Sequence, residues 1–600
     1  MTNKFFRTTN SHAALPFGAL TADGAPDGTE DHPYSAYTQI ATELAAGNDV
    51  YLHPACFWVM DGAAFLSLSS AEPALGGTLQ RWEIAGYEEW FPTIENVIRP
   101  ASWTAVGGGS GRWTYTLSGT MMTADNEVVA LGGHLVGDGR GVEYRSALTR
   151  CRMVSPITSA TTPGDFLVVS TDDSPDYTTF TVYTGTDSED PIEMFGGFCF
   201  CTRNTAWSRS IAMSGSKRLT LTDLQLIGGG LRSEPGDGVT CEDITLVRPR
   251  HIGSSYIAVQ LTPSHANGLV QDWVIDRPNF DAGSHLDSPP VGVNSSMSTN
   301  NGISIQRRVR DVEIRDPKIA GFSHSQIQAL CVPGDTTYID GDFGWPYNIV
   351  VRKTTDAAGF NELTGGRGYR RGIVMCGHGW VVDRQHIIGQ SSQSQFSGRG
   401  VLIMPRWSEG YHTEASNTNY GSGSGFGLQI DTAGVIPQRI TMLSPVFDEV
   451  PNFPGYLPGN YDCPSGALDI RGALVRSLDT YTPKYQPNGA SGNTTWNDPA
   501  PFFAGRNYTD ASGTGDAQGI PFGLRDSVFI IPSGQTAIAA LQTAGETGTS
   551  PGTWTKRYTA ATSNADVSGN QTFNTEAAAG FDENLAWIGT ARPALPRRVR

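Results

Sequence analysis

Asp340 and Asp342 stand two residues apart in "YIDGDFGWPY" (338–347), so on an extended strand both carboxylates project from one face. Trp345 and Tyr347 follow in the same stretch and offer aromatic faces on which a sugar ring can stack. Two carboxyl groups beside such a platform suit glycoside hydrolysis, in which one protonates the leaving oxygen and the other activates water. The same stretch also reads as a Gly-Pro turn with Asx caps. Further carboxylates near strand ends and loops are Asp237, Glu242, Asp281, Asp287 and Asp383.

Elimination chemistry on an acidic sugar asks for a cation that neutralises the carboxylate and a base for the α-proton. "GGRGYRRG" (365–372) gathers Arg367, Arg370 and Arg371 around Tyr369 and forms a local positive patch, which can grip an acidic saccharide or pair with neighbouring acids. "MPRWSEGYHTEASNTNY" (404–420) carries Trp407, Glu409, Tyr411, His412 and Glu414 on a long polar loop. That mixture fits a carbohydrate groove, since sugars present apolar faces ringed by hydroxyls; a covered subunit interface is the other reading. No phosphate loop, serine-nucleophile elbow, zinc-helix motif or Rossmann fingerprint occurs, so no metal and no cofactor is expected.

The elements that must position these groups are short. Of 600 residues, 71 are glycine and only 17% are charged, which favours many strands joined by tight turns over long helices. A net charge of −17 opposes binding to nucleic-acid phosphate or to an anionic membrane. The first residues, "MTNKFFRTTNSHAALPFG", lack the apolar core of a signal peptide, and no run reaches the length of a membrane span. The eight cysteines are scattered, which reads as buried free thiols rather than a disulfide framework or a zinc site.

Four segments align on a proline: "ITLVRP" (244–249), "WVIDRP" (273–278), "VEIRDP" (312–317) and "ITMLSP" (440–445). Their first and third positions are all apolar while the second varies freely, a period-two burial pattern. "NIVVRKT", "RGIVMCG", "GWVVDRQ" and "RGVLIMP" repeat the pattern at irregular spacing. One such unit cannot close its own core, so copies must stack into a parallel β-helix, with each proline turning the corner at a strand end. Antiparallel sandwiches are the alternative, disfavoured by the scarcity of two-residue hairpin signals. "PYSAYTQIATELAAG" (33–47) predicts one short helix stopped by Gly47, "VYLHPACFWV" (50–59) a strand, and "LVGDGRGVEYR" (135–145) an early rung.

The N-terminal run resembles the opening segment of the pectate-lyase-like superfamily: Phe17, Gly18, Ala19, Asp23, Gly24, Asp31, Ala36, Ile40, Gly47, Val50, Tyr51, Leu52 and Pro54 match in order. A longer loop at 20–30 and His53 before Pro54 depart from it. The resemblance implies an all-β, right-handed parallel β-helix whose helix caps the open end of the solenoid. The superfamily includes polysaccharide lyases, glycosidases, epimerases and many phage tailspikes. The Gly-His-Gly around His378 in "CGHGWVVDR" (376–384) resembles the polygalacturonase motif on this fold, which implies a proton-transfer role for His378, a turn or stacking histidine being the alternative; the accompanying carboxylates do not follow, since "TNNGISI" (299–305) has Asn301 where aspartate is expected, and "GFSHSQI" (321–327) has none.

The expected organisation is therefore a cap (1–60), early rungs with inserted β structure (61–215), the main parallel β-helix (216–480), and a late rung with a small β-rich module that trimerises or binds sugar (481–600). The expected role is that of a homotrimeric phage tailspike or tail-fibre protein in the virion tail. Its partners would be other tail proteins and a bacterial surface polysaccharide (capsule, exopolysaccharide or lipopolysaccharide), which it binds, with depolymerisation of that polymer left open. A non-virion polysaccharide lyase or glycoside hydrolase, and a non-enzymatic β-helix adhesin, are the competing expectations.

Overall fold

A computed structural model describes residues 2–7, 27–31, 33–60, 62–68, 77–118, 128–133, 149–171, 177–202, 208–254, 256–265, 267–282, 301–322, 325–330, 346–355, 361–364, 371–375, 379–388, 399–403, 440–448, 455–457, 468–476, 503–507, 522–531, 533, 538–543, 556–559 and 566–586. They form two compact units, Met1–Ser304 with Pro317–His324, and Ile305–Asp316 with Ser325–Arg600. Both are built from stacked parallel strands, so the chain is an all-β parallel β-helix.

In the first unit, strands Asn3–Phe6, Asp49–Leu52, Gly77–Arg81, Lys217–Thr222, Thr240–Val247 and Leu269–Asp276 stack in parallel as one sheet. A second sheet stacks Leu66–Leu68, Arg209–Met213, Gly230–Ser233 and Ile257–Leu261. The third stacks Phe57–Val59, Thr93–Glu95, Gln225–Ile227, Arg250–Ile252, Asn279–Asp281 and Lys318–Ala320. The parallel register excludes the sandwich alternative. Period-two burial is realised as predicted: Ile244, Leu246, Trp273 and Ile275 are buried inward, and Thr245 and Val274 between them are half-buried.

The helix is shorter than predicted, Gln39–Ala45, with Ile40 and Leu44 buried and Gly47 at a positive φ of 76°. Tyr34 does not join it, because its backbone bridges to Phe6 of the first strand. "VYLHPACFWV" likewise is two strands rather than one: the Cys56 N–H donates to the His53 carbonyl at 3.1 Å, turning the chain from the first sheet into the third. Between the third-sheet strand Thr93–Glu95 and the second-sheet strand Arg209–Met213 lies the inserted β structure. Strands Thr104–Ala105, Arg112–Ser118, Tyr177–Tyr183 and Phe166–Thr171 form an antiparallel sheet there, and Thr149–Arg150, Val128–Gly132 and Phe198–Thr202 form another. One face of the second of these sheets, including Val129, Leu131, Cys199 and Cys201, packs on Ile227 and Ile252, which explains why those outward positions of the solenoid are apolar. Cys56, Cys151, Cys199, Cys201 and Cys241 are buried free thiols.

In the second unit, Val309–Arg315, Tyr347–Arg352, Val381–Asp383, Ile440–Leu443, Leu468–Arg471, Phe522–Arg525 and Asp566–Ser568 form the first sheet. The second runs from Ser325–Leu330 through Arg371–Met375, Arg399–Ile403, Gly455–Leu457 and Phe503–Asn507 to Ile538–Thr543, where Lys556–Thr559 adds an antiparallel strand. The third contains Glu362–Thr364, His386–Ile388, Val446–Asp448, Leu474–Arg476, Val528–Ile530 and Gln571–Phe573. A last short helix, Glu576–Ala579, brings Ala579 and Phe581 against the outward Leu474, Val528 and Ile530.

The corners carry the sequence signal that the prolines announced. Pro249, Pro278, Pro317 and Pro445 each follow a residue in the left-handed region: Arg248 (φ 49°), Arg277 (51°), Asp316 (47°) and Ser444 (47°). That conformation costs about 1–2 kcal/mol in a residue with a Cβ. It is held by bonds to the next rung, such as Arg248 N–H to the Asp276 carbonyl at 2.7 Å and Ser444 N–H to the Arg471 carbonyl at 2.7 Å. Other left-handed residues stand immediately before a buried residue of the inward face: Arg218, Asp243 and Asp272 before Leu219, Ile244 and Trp273 in the first unit, and Asp311, Asn348 and Gly379 before Val312, Ile349 and Trp380 in the second. Gly379 (φ 68°) is the last residue of the Gly-His-Gly motif, and a Cβ there would lie 3.3 Å from the Asn348 nitrogen. The fold therefore accounts for this glycine without any catalytic motif.

Candidate functional site

The described part of the second unit gathers one charged cluster that can transfer protons. It lies on the outward face of the third sheet. Each strand there places one inward apolar residue between two outward ones: Ile387 is buried between His386 and Ile388, and Phe447 between Val446 and Asp448. Register puts His386 beside Glu362 on one side and Val446 on the other, and Asp448 beside Ile388 and Arg476.

Arg476 grips Asp448 with both edges of its guanidinium, Nε to Oδ1 at 2.7 Å and Nη2 to Oδ2 at 2.9 Å. His386 Nε2 faces Oδ2 of the same carboxylate at 3.3 Å. The Arg476 Nη1 donates onward to the Glu583 carbonyl at 2.5 Å and approaches Glu576 Oε1 at 3.4 Å, so the C-terminal helix region closes one side of the cluster. Burial pushes the Asp448 carboxyl up, but the hydrogen bonds from His386 and Arg476 and the Arg476 charge outweigh it and hold the group below the usual carboxylate range.

Asp448 is thus an ionised, nearly buried acceptor, with 11% of its side chain exposed, while His386 keeps 30% of its own accessible. A carboxylate that holds the Nε2 proton orients the ring and leaves Nδ1 as a base, the arrangement by which an imidazole is made ready for general acid–base work.

Asp383 ends its strand and accepts from Arg384 Nη2 at 2.9 Å, an ion pair at the corner three residues before His386. The Tyr347 hydroxyl accepts from Arg310 Nη1 at 2.9 Å. Arg371 opens a second-sheet strand, in register with Ser325 and Arg399. Glu242 accepts from Lys217 and from Gln271 at 2.7 Å, and the lysine first and the amide next hold it below its ordinary value. Asp237 is an exposed loop acceptor for Asn267 at 2.7 Å, Asp281 ends a third-sheet strand, and Asn301 opens a second-sheet strand. Asp287, Asp340, Asp342, Trp345, Arg367, Tyr369, Arg370, His378, Trp407, Glu409, Tyr411, His412 and Glu414 lie outside the described residues, as do Phe17 to Gly24 and the stretch 135–145.

His386, Asp448 and Arg476 lie just past the corners, outside the strand segments whose period-two pattern is visible in the sequence. Three residues further on, "QHII" (385–388), "PVFD" (445–448) and "ALVR" (473–476) fall into one frame and put these side chains on one face. Among the described residues no group of three His, Cys, Asp or Glu side chains is placed to hold a metal ion, and no helix is long and apolar enough to cross a membrane. No protein-family model matches the chain, and no curated protein is significantly similar to it.

Proposed function

We propose that this protein is a tailspike or tail-fibre β-helix that binds a bacterial surface polysaccharide during host adsorption, as a homotrimer joined to other tail proteins in the virion. The observation that carries the reading is the outer face of the solenoid. Within each unit parallel rungs repeat every ~4.8 Å and set polar side chains in ladders, a periodic surface that suits an extended polymer. In the second unit, Arg315 and Arg352 flank Glu313, and Arg471 and Arg525 flank Asp469. In the first, Lys217 and Gln271 flank Glu242. The likeness of the N-terminal run to pectate-lyase-like proteins supports the tail assignment by analogy of fold.

Binding of purified protein to capsule, exopolysaccharide and lipopolysaccharide preparations tests this reading. Retention of one of them at physiological salt is expected, and a protein that binds none of the three refutes it. Size-exclusion chromatography with light scattering is expected to give the mass of three chains; a stable monomer removes the trimeric tailspike.

Depolymerisation is the second reading, and the His386–Asp448 contact favours it over a purely adhesive role. His386 would move the proton, with Asp448 fixing its ring. New reducing ends would mark hydrolysis and absorbance from unsaturated uronates would mark elimination. In either case His386→Ala is expected to lower turnover by about a hundredfold or more while leaving polymer binding intact. Binding without either product leaves the adhesin.

A further inference from the structure

A second cluster lies on the outward side of the second sheet of the first unit, and none of the chemistry above uses it. Arg232 and Gln260 are register partners on neighbouring strands, alternating with the inward Leu231, Val259 and Leu261. Outward side chains of a solenoid are usually wet, yet Arg232 is 5% exposed and Gln260 7%. On the other side of Arg232 the register partner is Ala212, whose short side chain fills little space.

The groups here are unevenly matched. Arg232 Nη2 donates to Ser208 Oγ at 2.7 Å, while its Nη1 stands 3.5 Å from Glu234 Oε1. Arg209 Nη2 stands 3.3 Å from the other oxygen of Glu234. The Arg232 guanidinium carbon lies 5.0 Å from the centre of the Tyr256 ring, which adds a cation–π contact. Two guanidinium groups thus share one carboxylate through long contacts, leaving one positive charge in excess on a chain of net charge −17. Burial pushes Arg232 below its ordinary value, the sign of a cation short of anionic company. Three buried atoms find no hydrogen-bond partner among the described residues: Nε of Arg232, Nε of Arg209 and Oε1 of Gln260. Such atoms cost about 1–3 kcal/mol each unless something fills them.

Two unfilled guanidinium donors ask for an anion with two acceptor oxygens, and the planar fork of arginine matches a carboxylate. The unfilled amide oxygen asks for a donor beside that anion, which a hydroxyl supplies and a simple anion does not. We propose that Arg209, Arg232 and Gln260 bind a uronic acid residue, with its carboxylate on the two arginines and a ring hydroxyl on Gln260 Oε1. Glu234 occupies the anion position loosely in the free protein and competes with the ligand. This proposal rests on the polysaccharide-binding reading for its biological ligand.

The test is calorimetric titration of the full chain with glucuronate and galacturonate oligosaccharides, with glucose oligosaccharides and sodium acetate as controls. The uronates are expected to bind and both controls to fail. Arg209→Gln, at a site 39% exposed, should weaken uronate binding about fivefold or more. Glu234→Gln should tighten it severalfold, because the competing charge is gone and the shape is kept. A merely structural role for Glu234 predicts no gain, so the sign of this effect decides the matter even if Arg209→Gln fails to fold. Equal binding of neutral and acidic oligosaccharides, or a Glu234→Gln variant without gain, overturns the proposal. Binding to a surface polysaccharide that uronates do not compete away also overturns it while sparing the wider reading. Uronate binding that follows both variants, in a protein with no affinity for any surface polysaccharide, upholds the site and refutes the wider reading.

Discussion

Asp448 and Arg476 meet across adjacent rungs through two hydrogen bonds, 2.7 and 2.9 Å long, although 28 positions separate them in sequence. Both side chains are nearly buried, at 11% and 15% exposure. Removing one member of such a pair leaves the other charge uncompensated and typically costs about 3–5 kcal/mol. Asp448→Ala is expected to destabilise by roughly 3 kcal/mol, read by urea or guanidinium denaturation. In a double-mutant cycle, adding Arg476→Met should cost far less than it does alone.

The same carboxylate predicts how stability responds to acid. Asp448, Glu313 and Asp469 are each held below their ordinary values, Glu313 mainly by the hydrogen bond from Arg315, and Asp469 by Arg471 and Arg525 acting against its burial. Their folded pKa values lie below the unfolded ones. Their contribution is therefore fully present above the ordinary carboxylate range and is lost as pH falls through the depressed values. Melting temperature should drop steeply below about pH 4, and Asp448→Asn should make that drop shallower.

His53 works in a higher window. It is 4% exposed, its Nδ1 accepts from the Ala55 N–H at 3.2 Å, and its ring meets Trp82 and Tyr87 edge-on. Burial first, and the Arg7 charge second, push its pKa down to about 4. As pH falls from 6.5, the unfolded chain takes up this proton before the folded one does, so stability declines down to about pH 4. The whole effect is roughly 3 kcal/mol, and His53→Gln should flatten the pH dependence of unfolding between those limits.

The left-handed corners predict substitutions of opposite sign. Ser444 (φ 47°) carries a Cβ in a conformation that penalises one, so Ser444→Gly should stabilise by up to about 1 kcal/mol. Gly379→Ala, at φ 68° and against the Asn348 backbone, should destabilise by about 1–2 kcal/mol. Thermal unfolding of the two variants checks both signs. A neutral Gly379→Ala would contradict the structural account of the Gly-His-Gly motif.

The parallel stacking was legible from residues 244–249, 273–278, 312–317 and 440–445 alone. Whether Ile275 or Val274 faces the core depends on alternation along one strand, and where a strand ends depends on the corner residue and its proline; both are local properties. The helix lost its first turn because a backbone bridge from Tyr34 to Phe6, a long-range partner, competed with local helix formation.

What the sequence by itself determined, then, is the all-β class, the inward face of each strand and the corners. Only the tertiary structure decided that His386 meets Asp448 across 62 positions, and that Arg232 meets Gln260 on neighbouring rungs. The physical reason is that loops of unequal length separate the rungs. A longer loop costs little extra entropy, so loop length leaves rung pairing unspecified, and burial of the inward side chains sets the register that brings outward ones together.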